Sequence, residues 1–379
     1  MFEPEGGPRV AEPVLHSKVW LLQRSNVTGG TKHLMDEIAA RLNARDIGAT
    51  AVYLRDVDQT NEAHRSAVSA LTQSISQAVG LITRLWRERP NVVVTFTPAI
   101  GTLAALATLP IRGVRVVSTH HADADKLARP IRLLDKALGR IGAFDQIVAC
   151  SHSVAESFMA NGEPYMRRLT VIENGVPTTT TPHVGSRNSE LKHENDIPDD
   201  LSVAFAAGRL APQKNYAVIL QALALAPRWS LVLAGAGPLE QELKEQAATL
   251  GVSGRVRFVG VQPKGVVNKY LSMCDAFVQS SLYEGLSLSV LEAMAHGAPC
   301  LVSDIASNTH ALTTDDKSVG WLLPTDSPER WAAALDFVRD NPEQARAMGR
   351  DARTHQQQHY DEDGMYAKYL ALITERALT

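Results

Sequence analysis

The sequence predicts an α/β protein built from two doubly wound, parallel-sheet domains. The chain has 379 residues, which is too long for one ordinary hydrophobic core, so two domains are expected. In both halves, short apolar segments alternate with longer segments of helical periodicity, the pattern of parallel strands covered by helices. A polar stretch at residues 178–200 separates the two series and reads as a linker.

Each series can be followed along the chain. After a leader over residues 1–16, strands of the first series are expected at 18–24, 50–54, 92–96, 114–119 and 146–150, and the segment 171–177 is expected to be a strand that ends in a turn. Strands of the second series are expected at 202–207, 231–234, 257–260, 276–278, 299–303 and 320–323. The predicted domains are therefore residues 1–177 and 201–360, followed by a final helix within 361–379.

Composition narrows the function classes. Hydrophobic residues make up 45% and charged residues 21% of the chain, as in ordinary enzymes, and a net charge of −3 gives no support for nucleic-acid binding. The longest apolar run, 99–111, is shorter than the roughly 20 residues needed to span a bilayer. The acidic, Gly- and Pro-rich start does not resemble a signal peptide, and three cysteines favour buried thiols over a disulfide set. We therefore expect a cytoplasmic protein.

The segment 280–299 carries the first candidate site. It reads as a strand end, a turn at Gly285 and a short helix, with Ser287 as N-cap and Gly297 as left-handed C-cap. The backbone N–H groups of residues 285–289 then point out of a helix N-terminus, where unpaired donors and the helix dipole favour a phosphate.

Two carboxylates flank this turn. Glu284 precedes the helix, and Glu292 lies about a turn and a half inside it. A helix with acids on a solvated face would also carry them, but the apolar flanking residues indicate that Glu292 needs donors such as ligand hydroxyls.

A second candidate site follows the strand at 202–207. Gly208, Arg209 and Lys214 come directly after it, with Pro212 between the two cations. A guanidinium fork and a compact ammonium suit an anion such as a diphosphate. Two surface cations on a loop are the alternative.

Together these residues resemble the E-x7-E segment and diphosphate loop of the retaining GT-B glycosyltransferases (group 1, family 4), which use nucleotide-diphosphate sugars. The resemblance extends over nearly the whole chain and is strongest from 202 to 303. It implies a GT-B fold, with two Rossmann-like domains facing across a cleft and the helix in 361–379 crossing back to the first domain. It also implies sugar transfer with retention of configuration, to a glycan, a lipid-linked glycan or a small-molecule hydroxyl, in polysaccharide or glycolipid synthesis.

The resemblance assigns roles residue by residue. The first Glu contacts the donor sugar, the second the ribose, the glycine turn the diphosphate and the main chain at Val259 to Val261 the base. The donor-binding residues it implies are Gly29, Gly30, Arg209, Lys214, Val259, Gly260, Glu284, Gly285, Leu286, Ser287, Leu288 and Glu292. The catalytic residues it implies are Glu284, His120, Arg209 and Lys214.

Other readings stay open. Ser289 stands where many relatives carry Pro. His120 aligns best with the family's histidine, but His121 is adjacent. The Asp123-Ala124-Asp125 sequence could hold a metal–diphosphate, although helix capping explains it as well, and we expect no required metal or other cofactor. A nucleotide-sugar epimerase, a phosphorylase or a non-catalytic nucleotide-sugar-binding protein are the alternative functions.

The segment 126–140 adds a hypothesis about membranes. Leucine and isoleucine follow one helical stripe while five lysines and arginines lie mostly opposite, and Pro130 has to sit in the first turn or kink the helix. Such a helix could rest on anionic lipid at the inner face of a membrane, or present a solvated basic face.

Overall fold

The computed structural model describes residues 18–25, 30–55, 67–179, 188–314 and 317–374. Two six-stranded parallel sheets, each with flanking helices, organise these residues. The predicted pair of doubly wound parallel sheets is therefore confirmed.

The first sheet has the strand order β2-β1-β3-β4-β5-β6. Its strands are β1 (Val19–Ser25), β2 (Ala49–Arg55), β3 (Val92–Thr95), β4 (Arg115–His120), β5 (Gln146–Ala149) and β6 (Leu169–Val171). Its helices are α1 (Gly30–Asn43), α2 (Ala67–Glu88), α3 (Pro98–Thr108), α4 (Arg129–Ile141), α5 (His152–Ser157) and α6 (Glu163–Met166). Every residue of β3 is buried, because a central parallel strand is covered by helices on both faces.

The second sheet has the strand order β14-β11-β10-β7-β8-β9. Its strands are β7 (Ser202–Ala207), β8 (Trp229–Ala234), β9 (Val256–Gly260), β10 (Ala276–Gln279), β11 (Cys300–Ser303) and β14 (Trp321–Leu323), and β12 (Thr313–Thr314) pairs with β13 (Lys317–Ser318) separately. The helices are α7 (Asn188–Glu194), α8 (Tyr216–Leu225), α9 (Glu240–Thr249), α10 (Lys264–Met273), α11 (Leu288–His296), α12 (Ala306–Leu312), α13 (Pro328–Asp340), α14 (Pro342–His359) and α15 (Glu362–Thr374).

The order of the second sheet reverses between β7 and β10. From β7 the chain proceeds outward to β8 and β9, and it then returns to place β10 on the other side of β7. In open parallel sheets, ligands bind beyond the carboxyl ends of the strands at such a reversal. The loops that follow β7 and β10 therefore occupy the favoured position for a site.

The core of the second sheet is built around two buried tryptophans, Trp229 and Trp331. The indole N–H of Trp331 donates to the carbonyl oxygen of Pro324 over 2.8 Å. The Arg255 guanidinium donates to the carbonyl oxygens of Leu223, Ala226 and Trp229, which joins the end of α8 to the start of β8. These bonds satisfy the Trp331 indole and four backbone carbonyls at the edge of this core.

The chain divides into two compact units, and each unit is built from more than one segment of the sequence. One unit takes its described residues from 1–119, 134–146 and 369–379, and the other from 120–133 and 147–368. Residues 147–177, which the sequence assigned to the first domain, are grouped with the second unit. In the predicted linker 178–200, residues 188–194 form α7, and Leu191 of this helix is fully buried.

The last described turns of α15 belong to the first unit. Arg115 donates to the carbonyl oxygens of Leu372 and Ile373, both at 3.3 Å. These carbonyls lie in the last turn of the helix, where they have no partner within the helix itself.

The predicted basic helix 126–140 begins later than expected. Lys126 lies in a 3-10 turn (Ala124–Lys126), the backbone at Leu127 is extended, and α4 starts at Arg129 with Pro130 in its first turn. The reason is that proline fits the first turn of a helix but not its interior.

Among the described residues, no helix combines the length and the apolar character that crossing a bilayer requires.

Candidate functional site

The turn at Gly285 is fixed by close packing. A Cβ atom at this position would collide with the carbonyl oxygen of His121 and would lie 3.2 Å from the Cys150 sulphur. Ser151 Oγ donates to the Gly285 carbonyl oxygen over 2.6 Å, and Asn174 Nδ2 donates to that of Leu286 over 3.4 Å. Both carbonyls of the turn are held from one side, so its position before α11 is well determined.

Helix α11 begins and ends as predicted, but its N-cap works differently. Gly297 is the left-handed C-cap, with φ of 76°, and Ser287 occupies the N-cap position. The Ser287 hydroxyl makes no capping bond and instead accepts from Gln279 Nε2 over 2.6 Å. Because the first-turn N–H groups of a helix have no partner within it, the turn keeps donors suited to an anion.

The two candidate motifs meet in one ion pair. Lys214 Nζ lies 2.5 Å from Glu284 Oε1, and their side chains are only 14% and 11% exposed. Ser281 Oγ also donates to Glu284 Oε1, over 2.7 Å, and Gln213 Nε2 reaches Oε2 at 3.3 Å. The carboxylate therefore has three donors, which offset the cost of removing its charge from water.

The backbone supports this pair. Lys214 ends a 3-10 turn, and Asn215 follows in the left-handed conformation, with φ of 50°. Ser280 Oγ donates to the carbonyl oxygens of Lys214 and Asn215, both at 2.9 Å. The loop after β7 is thus bonded to the loop after β10 at the sheet reversal.

Arg209, the other predicted phosphate ligand, is exposed two residues after the end of β7. It lies in the same loop as Lys214, and because it is exposed its guanidinium is accessible to a ligand.

Glu292 lies beside a separate pocket of about 340 Å³. The pocket is lined by Pro177, Thr178, Thr179, Lys264, Asn268, Glu292, Ala295 and His296. Burial raises the pKa of the Glu292 carboxyl, and the positive charge of Lys264 acts in the opposite direction. This carboxylate is in the partly buried setting that the sequence predicted, and its role towards a ribose stays a prediction.

The main chain predicted to meet a nucleobase is partly engaged. Val259 O accepts from Gln262 Nε2, and Gly260 O accepts from the N–H of Gly235 over 2.7 Å. Val261 is 77% exposed. Backbone groups at and after residue 261 are therefore better placed for a base than the two carbonyls before it.

His120 is the fully buried last residue of β4, and its ring meets Phe158 edge-on at 4.6 Å between centroids. His121 is half-buried, and burial together with the charge of His120 lowers the pKa of its imidazole to about 4. His121 is thus neutral at physiological pH. The predicted donor contact of His120 stays a prediction, as does that of Gly30, the first residue of α1, while Gly29 lies outside the described residues.

The two aspartates of the Asp-Ala-Asp sequence have different environments. Asp123 precedes the 3-10 turn without capping it through its side chain, and burial, followed by the charge of Asp125, raises its pKa. Asp125 pairs with Lys126 at 2.9 Å, and Lys126 Nζ also lies 4.5 Å from the ring centroid of Tyr283. In the described part of the chain, these aspartates belong to no group of three metal-ligating side chains.

The three cysteines, Cys150, Cys274 and Cys300, are free and buried, as predicted. Burial raises the pKa of the Cys150 and Cys300 thiols to about 12, so neither is a nucleophile at neutral pH.

Sequence reasoning missed the residues that hold the site from a distance. Ser151 and Asn174 contact the Gly285 turn from more than a hundred positions away, and Gln213 and Ser281 bind the Glu284 carboxylate. In the sequence, Ser151 and Asn174 were marked only by their place after predicted strands, Gln213 by its place beside Lys214, and Ser281 by its place in the segment 280–299.

Models of glycosyltransferase families match both halves of the chain. The family model described as Glycosyltransferase Family 4 matches residues 28–180, and the one described as Glycosyl transferases group 1 matches residues 188–355. The lipopolysaccharide core biosynthesis glycosyltransferase LpsE of Rhizobium meliloti is 27% identical over 361 residues, which cover 92% of this chain and 96% of that protein. The putative glycosyltransferase EpsF of Bacillus subtilis is 27% identical over 212 residues, 55% of each chain.

Solved structures agree on the fold. The Anabaena HepE structure in complex with UDP and glucose superposes with a TM-score of 0.78 at 16% identity, covering 95% of this chain and all of that one. Sucrose-phosphate synthase from Thermosynechococcus elongatus gives a TM-score of 0.79 at 16% identity, covering 95% of this chain and 98% of that one. The predicted GT-B fold is thereby confirmed.

The packing at Gly285 predicts a specific loss of stability. In Gly285→Ala the added methyl group overlaps the His121 carbonyl, and we expect a loss of about 1–3 kcal/mol in unfolding free energy. Gly265→Ala, in α10, is the matched control, because no atom lies within 4 Å of the added Cβ, and it should be neutral or slightly stabilising. Thermal unfolding of the two variants checks this, and equal melting temperatures would contradict it.

The partly buried position of Glu292 predicts that removing its charge stabilises the ligand-free protein, by an amount that depends on pH. The folded-state pKa of this carboxyl is raised, so above that pKa burial of the ionised group lowers the stability of the ligand-free protein. Glu292→Gln should therefore raise the melting temperature at pH 7, and the gain should vanish as pH falls below the ordinary value of 4.5. Glu245→Gln, on the exposed face of α9, serves as control. A melting temperature unchanged at pH 7 would show that the burial of Glu292 carries no cost.

Proposed function

We propose that this chain, which belongs to the glycosyltransferases through its family 4 and group 1 domains, transfers a sugar from a nucleotide-diphosphate donor to a hydroxyl acceptor with retention of configuration. The observation that carries the proposal is the Lys214–Glu284 pair, held beside the helix N-terminus at the reversal of the second sheet. The cation and the helix N–H donors match the diphosphate of a nucleotide sugar, and the carboxylate matches the hydroxyl groups of its sugar.

The proposed roles follow from charge. Lys214 and Arg209 neutralise the diphosphate as the sugar–phosphate bond breaks, and the N–H groups of residues 285–289 bind its oxygens. Glu284 accepts hydrogen bonds from sugar hydroxyls, and Glu292 accepts them from the ribose. The leaving phosphate takes the acceptor proton on the same face of the sugar, which gives retention without a protein nucleophile.

We further propose a uridine nucleotide as donor and a cell-surface glycan or glycolipid as acceptor. The HepE structures hold UDP, with glucose or as UDP-glucose, which supports the base. LpsE is a lipopolysaccharide core biosynthesis glycosyltransferase, which supports the acceptor class. A second relative, WbpZ of Pseudomonas aeruginosa, is a D-rhamnosyltransferase. Transfer needs no metal in this proposal, because fixed cations stabilise the leaving group.

The test is nucleotide release with UDP-, GDP- and ADP-sugars, with chelator present. Glu284→Gln and Lys214→Met should each lower turnover by at least ~10², the scale of losing one preorganised electrostatic contact. Lys244→Met is the control, because this lysine pairs with Glu240 on the exposed face of α9. Near-normal turnover in both site variants, or release only when a divalent metal is added, would refute the proposed mechanism.

A membrane-proximal acceptor would agree with the surface of α4. Arg129 and Arg140 are exposed on this helix, and so are the apolar side chains Leu133 (57%) and Ile141 (70%). Cations next to apolar side chains suit the headgroup region of an anionic bilayer. We therefore propose peripheral contact through α4.

Vesicle sedimentation tests this contact. The full chain should pellet with vesicles containing anionic phospholipid, and Arg129→Glu with Arg140→Glu should reduce the bound fraction several-fold, since each cation near such a surface contributes about 1 kcal/mol. Reversing Arg350 and Lys368, exposed on α14 and α15, should have little effect. Equal losses in both double variants would indicate a general charge effect and sink the proposed contact.

A further inference from the structure

A cluster of metal-ligating side chains lies outside the proposed transfer site. Within the described residues, the ligand atoms of His152, Glu173 and His310 all lie within 4.8 Å of one another. His152 is the first residue of α5, Glu173 comes two residues after β6, and His310 lies in α12. The packing of α12 on α5 brings these three segments together.

The distances suit coordination of one ion. His310 Nε2 and Glu173 Oε1 are 3.1 Å apart, and the rings of His152 and His310 have centroids 4.9 Å apart. Ligand atoms bound to tetrahedral zinc at about 2.0–2.2 Å lie roughly 3.3 Å from one another. The histidine–glutamate pair already meets this spacing, and rotation of the exposed His152 side chain closes the remainder.

An ion pair alone accounts for only part of the cluster. Glu173 Oε1 and His310 Nε2 form this pair, and the ring of His152 lies beside it with its centroid 4.9 Å from that of His310. A metal ion uses both imidazoles as neutral ligands and keeps the carboxylate as its counter-charge.

We propose that His152, Glu173 and His310 bind one divalent transition-metal ion, with Zn²⁺ the best match and water as the fourth ligand. Two imidazoles and one carboxylate form a ligand set that zinc accepts with one position left open. The side chains of His310 and Glu173 are 41% and 17% exposed, which leaves a route for the ion and the water.

The site would fasten the segments that hold the Gly285 turn. Ser151 and Asn174, which donate to the carbonyl oxygens of Gly285 and Leu286, are the chain neighbours of His152 and Glu173. A bound ion would connect both segments to α12. The proposal concerns metal binding and stands whether or not the chain is a transferase.

The experiment is a titration of the full chain, free of affinity tags and stripped with chelator, with Zn²⁺ alone and with Co²⁺ alone. We expect one zinc per chain and an intense visible cobalt spectrum, as for a four-coordinate ion. His152→Gln, Glu173→Gln and His310→Gln should each weaken zinc binding at least ~10-fold, because loss of even an outer partner of a metal ligand costs 10–100-fold.

His359→Gln is the matched control. His355 and His359 also have adjacent rings, with centroids 4.6 Å apart, but they belong to no three-residue ligand group in the described part of the chain. Zinc affinity and cobalt spectrum should be unchanged in this variant. Far-UV circular dichroism of the metal-free variants verifies folding, and the exposed His152 position keeps at least one of them native.

Two results would overturn the proposal. One is a wild-type zinc affinity or cobalt spectrum equal to that of a variant that combines His152→Gln, Glu173→Gln and His310→Gln. The other is loss of the tight zinc site in His359→Gln with retention in His152→Gln.

Discussion

The partly buried ion pair between Lys214 and Glu284 is the interaction on which the rest of the site depends. Two charges removed from water are stable only when their remaining hydrogen-bonding capacity is satisfied, and here Ser281 and Gln213 supply donors to the carboxylate. Lys214 and Gln213 reach Glu284 because the loops after β7 and β10 touch, which in turn requires the strand order that sets β10 beside β7. The ion pair at the candidate site therefore depends directly on the topology of the second sheet.

Local sequence patterns predicted the elements well because their causes are local. Apolar runs marked the strands, and Gly297 ended α11 where a left-handed residue was expected. Proline restricted the start of α4, although the sequence placed that start three residues too early. The pairing of the two motifs, about 70 residues apart, followed from the family resemblance and from the rule that strand carboxyl ends share one sheet edge.

The remaining parts of the site could not be read from the sequence, because they depend on hydrogen bonds between distant loops. A serine such as Ser287 has the same local pattern whether its hydroxyl caps a helix or accepts from Gln279. Ser151 and Asn174 likewise follow ordinary strand ends, and only the folded chain brings them to the Gly285 turn. The same holds for His152, Glu173 and His310, which come from three segments without a shared motif.

The division of the chain into units has a consequence for biosynthesis. The first unit takes most of its residues from the first 119 positions, yet it also includes residues 134–146 and the last turns of α15. The carbonyl oxygens of Leu372 and Ile373, which accept from Arg115, are synthesised more than 250 residues after it. The first unit therefore completes its contacts only after the second sheet has been synthesised, and until then its incomplete surface is exposed to aggregation.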